Sequence, residues 1–519
     1  MINIYEPNIQ DYQTSAIEAI QSGWISNHGK YIQLASDKLK QIINSKYSIL
    51  MANGTCATHC IFLALKYKYP HINKIYVPNN AYVAAWNSAL MVYNIDQLAV
   101  MKMDINNWNI NTDEEYIKSL DVGSAVLIVH NLGNIVNVPR LKSIRSDLIF
   151  IEDNCEGLFG KYENIYSGTS EDILCSSCSF YGNKIITTGE GGAFLTNHKD
   201  IYDYILKVYS QGMSSTRYLH DVHAYNYRMT NIQAAFLYDQ LNDIENILNN
   251  KRKLFENYES MLFSLIQENK VKLFEKEMNT ENSHWIFALR IIGNTRSIDD
   301  TSAFFKDNGI DIRPFFYPIN KHGHLSSIEN TDEVSTILNN EIIMIPSSPS
   351  ITIEQQQKVV DTIGQFILFQ NIQVIKINDA NINLLNDFIS TIDSNHFRYF
   401  NKRTSECIHN HVGTFLFYDS VTHTYFGYTH IDYDVQTNKN WFGIYLHNSY
   451  CGKKLGNLLL NYTIHYFSKL NNNKNIHLSV DSDNEYAIKL YIKTGFIVDG
   501  DANINHKSDV LYMTKYIIS

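Results

Sequence analysis

The sequence predicts an α/β fold built in two successive parts. Over the first two-thirds, short apolar, β-branched runs alternate with helix-like runs, the pattern of a layered sheet with helical connections. Near residue 370 that pattern restarts with a fresh strand (IQVIKI) and a fresh helix (NINLLNDFISTI). The 519 residues are 45% hydrophobic and 18% charged, a composition that supports a folded core.

In chain order, strands are predicted at 74–78 (KIYVP), 124–129 (SAVLIV) and 147–152 (DLIFIE), each short, apolar and rich in branched side chains. Helical stretches fall between them, at 56–66 and 116–120 among others. Residues 279–368 mix strands (SHWIFALRII) and helices and read as a small appended lobe. The boundary is placed at 370, giving parts 1–370 and 371–519. In the second part the polar run 470–475 (LNNNKN) is predicted as a turn between a helix and the strand IHLSV.

Composition also excludes function classes. No run approaches the roughly 20 apolar residues of a membrane span, and residues 1–10 show no basic segment followed by an apolar one, so cytoplasmic residence is the expectation. Seven cysteines are too few and too scattered for a disulfide framework. Cys175 and Cys178 have C-x-x-C spacing, but no second pair completes a zinc set. A net charge of −10 disfavours nucleic acid as a partner.

The first chemical constellation is centred on Lys184, framed by the small-residue run CSSCS and the glycine-rich turn TTGEGG. A solvated lysine is not usually set in so permissive a backbone. Asp153 ends the strand IFIE, a common place for a functional carboxylate and equally for a helix cap. Asn53-Gly54-Thr55 leads into a helix, and free N–H groups there, with the helix dipole, attract phosphate. A lysine, a carboxylate, a phosphate cradle and an aromatic face, here Tyr82, are what pyridoxal phosphate requires.

Six ordered segments resemble the DegT/DnrJ/StrS family of sugar-nucleotide aminotransferases: SGWISNHGKY (22–31), NGTCATH (53–59), VPNNAYVAAWNSA (77–89), IEDNCEGLFG (151–160), SFYGNKIITTGEGGAFLTN (179–197) and YNYRMTNIQAAFLYDQL (225–241). The resemblance implies the type I pyridoxal-phosphate fold, a mixed seven-stranded sheet with a small C-terminal lobe. It implies Lys184 as the Schiff-base lysine and proton shuttle, and Asp153 against the pyridine nitrogen. Glu156 would lie near the ring hydroxyl, and Tyr82 would stack on the ring. Gly54, Thr55 and Ser179 would hold the phosphate, joined by Asn226 from the second protomer of a homodimer. Some relatives carry histidine in place of the lysine and act as dehydratases; Lys184 points away from that branch. His322 and His324 fall where the family places a loop near its substrate.

The second constellation is a strand (WFGIYL), the turn His447–Gly456, and a helix whose Leu455, Leu458, Leu459 and Tyr462 share one face. A glycine-containing turn feeding a helix suits a pyrophosphate, and Lys453 and Lys454 add charge. Downstream, IHLSVDSDNEYAIKLYIKTGFIVDG (476–500) resembles the close of GNAT acyl-CoA N-acetyltransferases. The resemblance implies acetyl-CoA as co-substrate, held by Leu446, Gly452, Lys453, Lys454, Gly456 and Asn484, with Tyr491 protonating the departing thiolate. The loop departs from the family's R-G-x-G-x-G/A at Cys451 and Lys454. His430, Asp432 and Asp434 are candidate bases.

Together the two parts predict a bifunctional enzyme. It would aminate a nucleotide-linked keto-6-deoxyhexose, at C4 and with glutamate as donor, and then acetylate the new amine for a surface polysaccharide such as O-antigen. A non-catalytic GNAT-like domain, or amination at C3, is the alternative.

Overall fold

A computed structural model of the chain describes residues 1–392, 408, 410–452, 455–470, 475–499 and 510–516. The chain divides into two compact units, Met1–Thr362 and Ile363–Ser519. Among the described residues no helix is long and apolar enough to cross a membrane.

The larger unit is organised on seven strands: β1 (Tyr47–Met51), β2 (Ile75–Pro78), β3 (Leu98–Met101), β4 (Ala125–Val129), β5 (Ile149–Asp153), β6 (Ile173–Ser179) and β7 (Gly192–Thr196). They lie in the order β1-β7-β6-β5-β4-β2-β3. The β3-β2-β4-β5-β6 run is parallel, and β7 is antiparallel to both β6 and β1. This is the mixed seven-stranded sheet of the type I fold.

Both faces of the sheet are buried, as parallel strands require. Side chains alternate accordingly. Leu127 and Ile151 pack with the helix α1 (Gly54–Lys68), through Ile61 and Leu65; Val126, Ile128 and Phe150 pack on the opposite face against Val136 and Leu141. That alternation sends Asp153 toward α1 and its neighbour Glu152 away from it. Strands Val271–Lys272, Ala288–Ile291, Arg313–Pro314 and Ile342–Met344 form a separate four-stranded sheet, the appended lobe.

The smaller unit holds a second seven-stranded sheet: β8 (Ile372–Lys376), β9 (His411–Asp419), β10 (Thr424–Asp434), β11 (Lys439–Leu446), β12 (Ile476–Asp481), β13 (Ile497–Val498) and β14 (Val510–Lys515), in the order β8-β9-β10-β11-β12-β14-β13. Helix α2 (Ile382–Ser390) covers one face, where Leu385 and Phe388 meet Leu416, Tyr428 and Tyr445. Helix α3 (Leu455–Leu470) covers the other: Leu460 and Phe467 join Ile431 and Phe442, and Thr463 Oγ1 lies 2.6 Å from Thr429 Oγ1. The join between β11 and β12 is parallel and short. Its register holds Asn440 to Ile476 and Trp441 to His477 and then ends, although both strands continue. The polar turn expected at 470–475 lies, for residues 471–474, outside the described residues.

Candidate functional sites

In the larger unit the site lies at the C-terminal ends of the parallel strands. Asn53 caps α1, its side chain accepting the Cys56 N–H at 2.9 Å and its carbonyl the Ala57 N–H at 3.4 Å. The N–H groups of Gly54 and Thr55 have no acceptor among the described residues, so both remain available to an anion. Gly54 is required by space: a Cβ there would lie 2.8 Å from Ser179 Cβ and 2.9 Å from Ser179 Oγ. Thr55 is exposed on the same turn, and Ser179 Oγ accepts the Tyr181 N–H at 3.3 Å.

A thread of hydroxyls connects this cradle to the carboxylate. Thr58 donates to the Gly54 carbonyl at 3.1 Å and lies 3.0 Å from Ser177 Oγ, which donates to Asp153 Oδ1 at 3.5 Å. Asp153 also accepts the Cys155 N–H at 3.1 Å and is buried. One turn further, Glu156 accepts the Leu132 N–H at 2.8 Å, from a turn in which Leu132 (φ 55°) and Gly133 (φ 84°) are both left-handed. Burial pushes the Glu156 carboxyl up to about 7, against the pull of the Lys184 ammonium and the Leu132 N–H.

Lys184 leaves the turn after β6. Its Nζ lies 3.9 Å from Glu156 Oε1 and 3.8 Å from the centroid of the Trp285 ring. The Tyr5 hydroxyl holds its carbonyl at 2.8 Å, and Trp285 Nε1 holds the Asn183 carbonyl at 2.8 Å. Sequence reasoning missed Trp285 and Tyr5. Each meets Lys184 across more than a hundred residues of chain, and the SHWIF run signals only a strand.

Two predicted residues stand further out. Tyr82 is 62% exposed, its ring 6.3 Å from Phe316. Asn226 is exposed; it accepts from Arg228 at 3.0 Å and bridges to Ser210. His324 Nε2 lies 2.7 Å from Asn87 Oδ1, and the His322 ring lies 5.2 Å from Trp86.

The donors fit pyridoxal phosphate. Unused helix-terminal N–H groups and a serine suit an anion, a buried carboxylate would suit a cationic ring nitrogen, and the Lys184 amine lies 3.9 Å from Glu156. Lys184, Asp153, Glu156, Gly54, Thr55 and Ser179 would hold the group.

In the smaller unit, Leu446 ends β11, and Gly452 turns the chain with φ 79° ahead of α3. Gly456 sits in the first turn of α3. Lys453 and Lys454 lie outside the described residues. Asn484 is the N-cap of the helix α4 (Glu485–Lys493), accepting the Ala487 N–H at 3.1 Å. Tyr491 is buried on the α3 face, its ring 5.9 Å from Phe496, and burial raises its hydroxyl well above the ordinary tyrosine value. At neutral pH it therefore carries its proton. The turn before α3 is pinned by Tyr450, which sequence reasoning did not single out. Its hydroxyl reaches Thr422, Thr424 and Asp419 at 2.7, 2.8 and 3.1 Å, and its ring stacks on Phe426 at 4.6 Å.

Comparison with known proteins agrees with this division. Residues 8–364 match the DegT/DnrJ/EryC1/StrS aminotransferase family, and residues 383–496 the acetyltransferase (GNAT) family. GDP-perosamine synthase of Escherichia coli O157:H7 is 30% identical over 369 residues, covering 70% of this chain and 98% of that protein. The Vibrio cholerae enzyme of the same name is 30% identical over 376 residues, covering 70% and 99%. Among solved structures, a GDP-4-keto-6-deoxymannose-3-dehydratase crystallised with GDP-perosamine superposes with a TM-score of 0.63 at 20% identity, over 70% of this chain and all of that one. The chain therefore belongs to the DegT/DnrJ/EryC1/StrS aminotransferase family and carries a C-terminal GNAT acetyltransferase domain.

Proposed function

We propose that the chain makes an N-acetylated amino sugar in two steps. The larger unit transfers an amino group from glutamate to a nucleotide-linked keto-6-deoxyhexose, at C4, and the smaller unit acetylates that amine with acetyl-CoA. The observation that carries the first step is the position of Lys184 Nζ, 3.9 Å from Glu156 and 3.8 Å from the centroid of the Trp285 ring. The names of the relatives support the substrate class, and the fused GNAT domain supports the second step.

Pyridoxal phosphate, when bound, supplies an electron sink and a carrier for the amino group. The protein's own groups do the rest. Gly54, Thr55 and Ser179 bind the phosphate, and Asn226 serves the phosphate of the other protomer in a homodimer. The Asp153 carboxylate keeps the ring nitrogen protonated. Lys184 takes a proton from the substrate carbon and returns it. Glu156, poised near neutrality, accepts or gives a proton beside it. Tyr82 shields the ring from water.

In the second step the N–H groups of β11 beyond Trp441, where β12 no longer pairs with it, are offered to the thioester oxygen. Tyr491 gives its proton to the thiolate.

The test is the mass of the product formed from a panel of keto-sugar nucleotides with glutamate and acetyl-CoA. An N-acetylamino product from the full chain, with none from Lys184→Ala, is expected. Amination that survives in Lys184→Ala overturns the lysine assignment. A free amine as final product from the full chain overturns the second step.

A further inference from the structure

Two buried groups face the amine of Lys184: the Glu156 carboxyl, with Oε1 at 3.9 Å, and the Trp285 ring, with its centroid at 3.8 Å. One short segment, Ser283-His284-Trp285, sets both. At one end, the Ser283 hydroxyl donates to the Glu156 carbonyl at 2.7 Å and the Ser283 N–H to the Gly133 carbonyl at 2.9 Å. Gly133 belongs to the turn whose Leu132 N–H holds the Glu156 side chain, and a Cβ at 133 would overlap the Ser283 hydroxyl. At the other end, Trp285 Nε1 donates to the Asn183 carbonyl at 2.8 Å, one residue before the lysine. Between them His284 takes a left-handed backbone, φ 57°, a conformation that costs energy for any residue with a Cβ.

These contacts fix the plane of the indole as well as its place. Its N–H is engaged by the lysine's own turn, so the ring cannot rotate without losing a buried hydrogen bond. Its face therefore stays turned toward the Lys184 amine. A cation within about 6 Å of an indole centroid is attracted by the negative face of the ring, more strongly where water is excluded. We infer that the Trp285 face is the holding site of the Lys184 ammonium during the part of the reaction in which the lysine is not bonded to the cofactor. The inference rests on the proposed transamination.

Lys184 is released when the donor nitrogen takes its place. One C–N double bond is exchanged for another, with both linkages protonated. One proton passes from the donor nitrogen to the lysine nitrogen, and Lys184 departs as a neutral amine. The proton it then takes from the substrate carbon makes it an ammonium in a largely buried place. Glu156 alone is an uneven partner for that charge. Burial raises its carboxyl to about 7, and a proton there removes the attraction. The indole face has no proton to gain. It keeps the ammonium beside Glu156 until the proton is delivered and the lysine nitrogen attacks again. A purely packing role for Trp285 would be met by any apolar side chain of similar bulk, whereas this role requires an aromatic face.

The test compares Trp285→Phe with Trp285→Leu. The replacements are close in size and both lose the bond to Asn183, so a difference between them reports the aromatic face. In the cofactor-free full chain, competitive labelling with trinitrobenzenesulfonate, read by peptide mass spectrometry, measures how freely the Lys184 amine reacts. Lys184 is expected to label about 5–10-fold faster in Trp285→Leu than in Trp285→Phe, and more slowly still in the unaltered chain. Equal labelling in the two variants overturns the inference. With the cofactor bound, Trp285→Leu is expected to lower kcat for amination about tenfold relative to Trp285→Phe, with KM for the keto-sugar nucleotide within about twofold. A loss confined to KM overturns it as well. If Trp285→Leu fails to fold, fluorine NMR of the cofactor-free chain labelled with fluorotryptophan decides. The Trp285 resonance, identified by its absence in Trp285→Phe, is expected to shift in Lys184→Met, and an unmoved resonance overturns the inference. Absence of amination by the unaltered chain overturns the proposed function, whatever the labelling shows.

Discussion

Burial holds the Glu156 carboxyl at about 7, where an exposed glutamate ionises near 4.5. A raised carboxyl means that the folded protein binds a proton the unfolded chain has already released. Its contribution to stability is therefore fully present below pH 4.5 and is lost as pH rises to about 7. Glu156→Gln keeps an acceptor for the Leu132 N–H and removes the titration. In the cofactor-free protein the variant should gain on the order of 2–3 kcal/mol over wild type at pH 8 and almost nothing at pH 4, measured by urea unfolding. Lys251 gives the opposite slope. It is fully buried, donates to the Ser347 carbonyl at 2.7 Å, and burial lowers its ammonium to about 7. Its contribution is fully present above pH 10.5 and is lost as pH falls to about 7. Lys251→Met should flatten the rise in stability of the larger unit between pH 7 and 10. A slope unchanged in that variant would show that other groups set it.

At the scale of elements, the first turn of α1 is built around a missing side chain. Gly54→Ala places a methyl 2.8 Å from Ser179 Cβ, and helix backbone and strand must part by several tenths of an ångström. Overpacking of this kind costs about 1–3 kcal/mol. Because the displaced groups are the proposed phosphate donors, pyridoxal phosphate affinity should fall roughly 10–100-fold by absorbance titration while the far-ultraviolet spectrum is retained. This element was legible in the sequence: NGT before an apolar helix and TTGEGG after Lys184 each announce a local turn. The strands were legible too, to within two residues, as 147–152 became Ile149–Asp153 and 74–78 became Ile75–Pro78. What escaped was long-range. Trp285 over Lys184, Leu132 under Glu156 and Tyr450 beneath the second turn are set by packing and register, for which periodicity carries no signal. Asn484 was legible as part of a motif, but its side chain closes a helix end, a local role that spacing alone does not separate from ligand binding.

For the whole molecule, the proposed division of labour can be tested with one stop codon. Helix Ile353–Gln370 runs across the boundary between the compact units, so a chain ending at Gln370 keeps it intact where one ending at Thr362 does not. The 1–370 chain should aminate a keto-sugar nucleotide at a rate within a few-fold of the full chain and release an unacetylated product, read by mass spectrometry. An acetylated product from it would place the second activity in the larger unit.

The short seam between β11 and β12 makes the smaller unit mechanically divided. Two residue pairs join a four-stranded half, β8 to β11, to a three-stranded half, β12 to β14. A guest lying in that seam would act as a rivet as well as a reactant. Acetyl-CoA should then raise the melting temperature of this unit in proportion to the logarithm of its concentration and slow amide exchange in Phe442–Leu446, while the larger unit melts as before. Each turnover would then loosen and refasten the sheet, and the proposed acetyl donor would be a cyclic part of the fold.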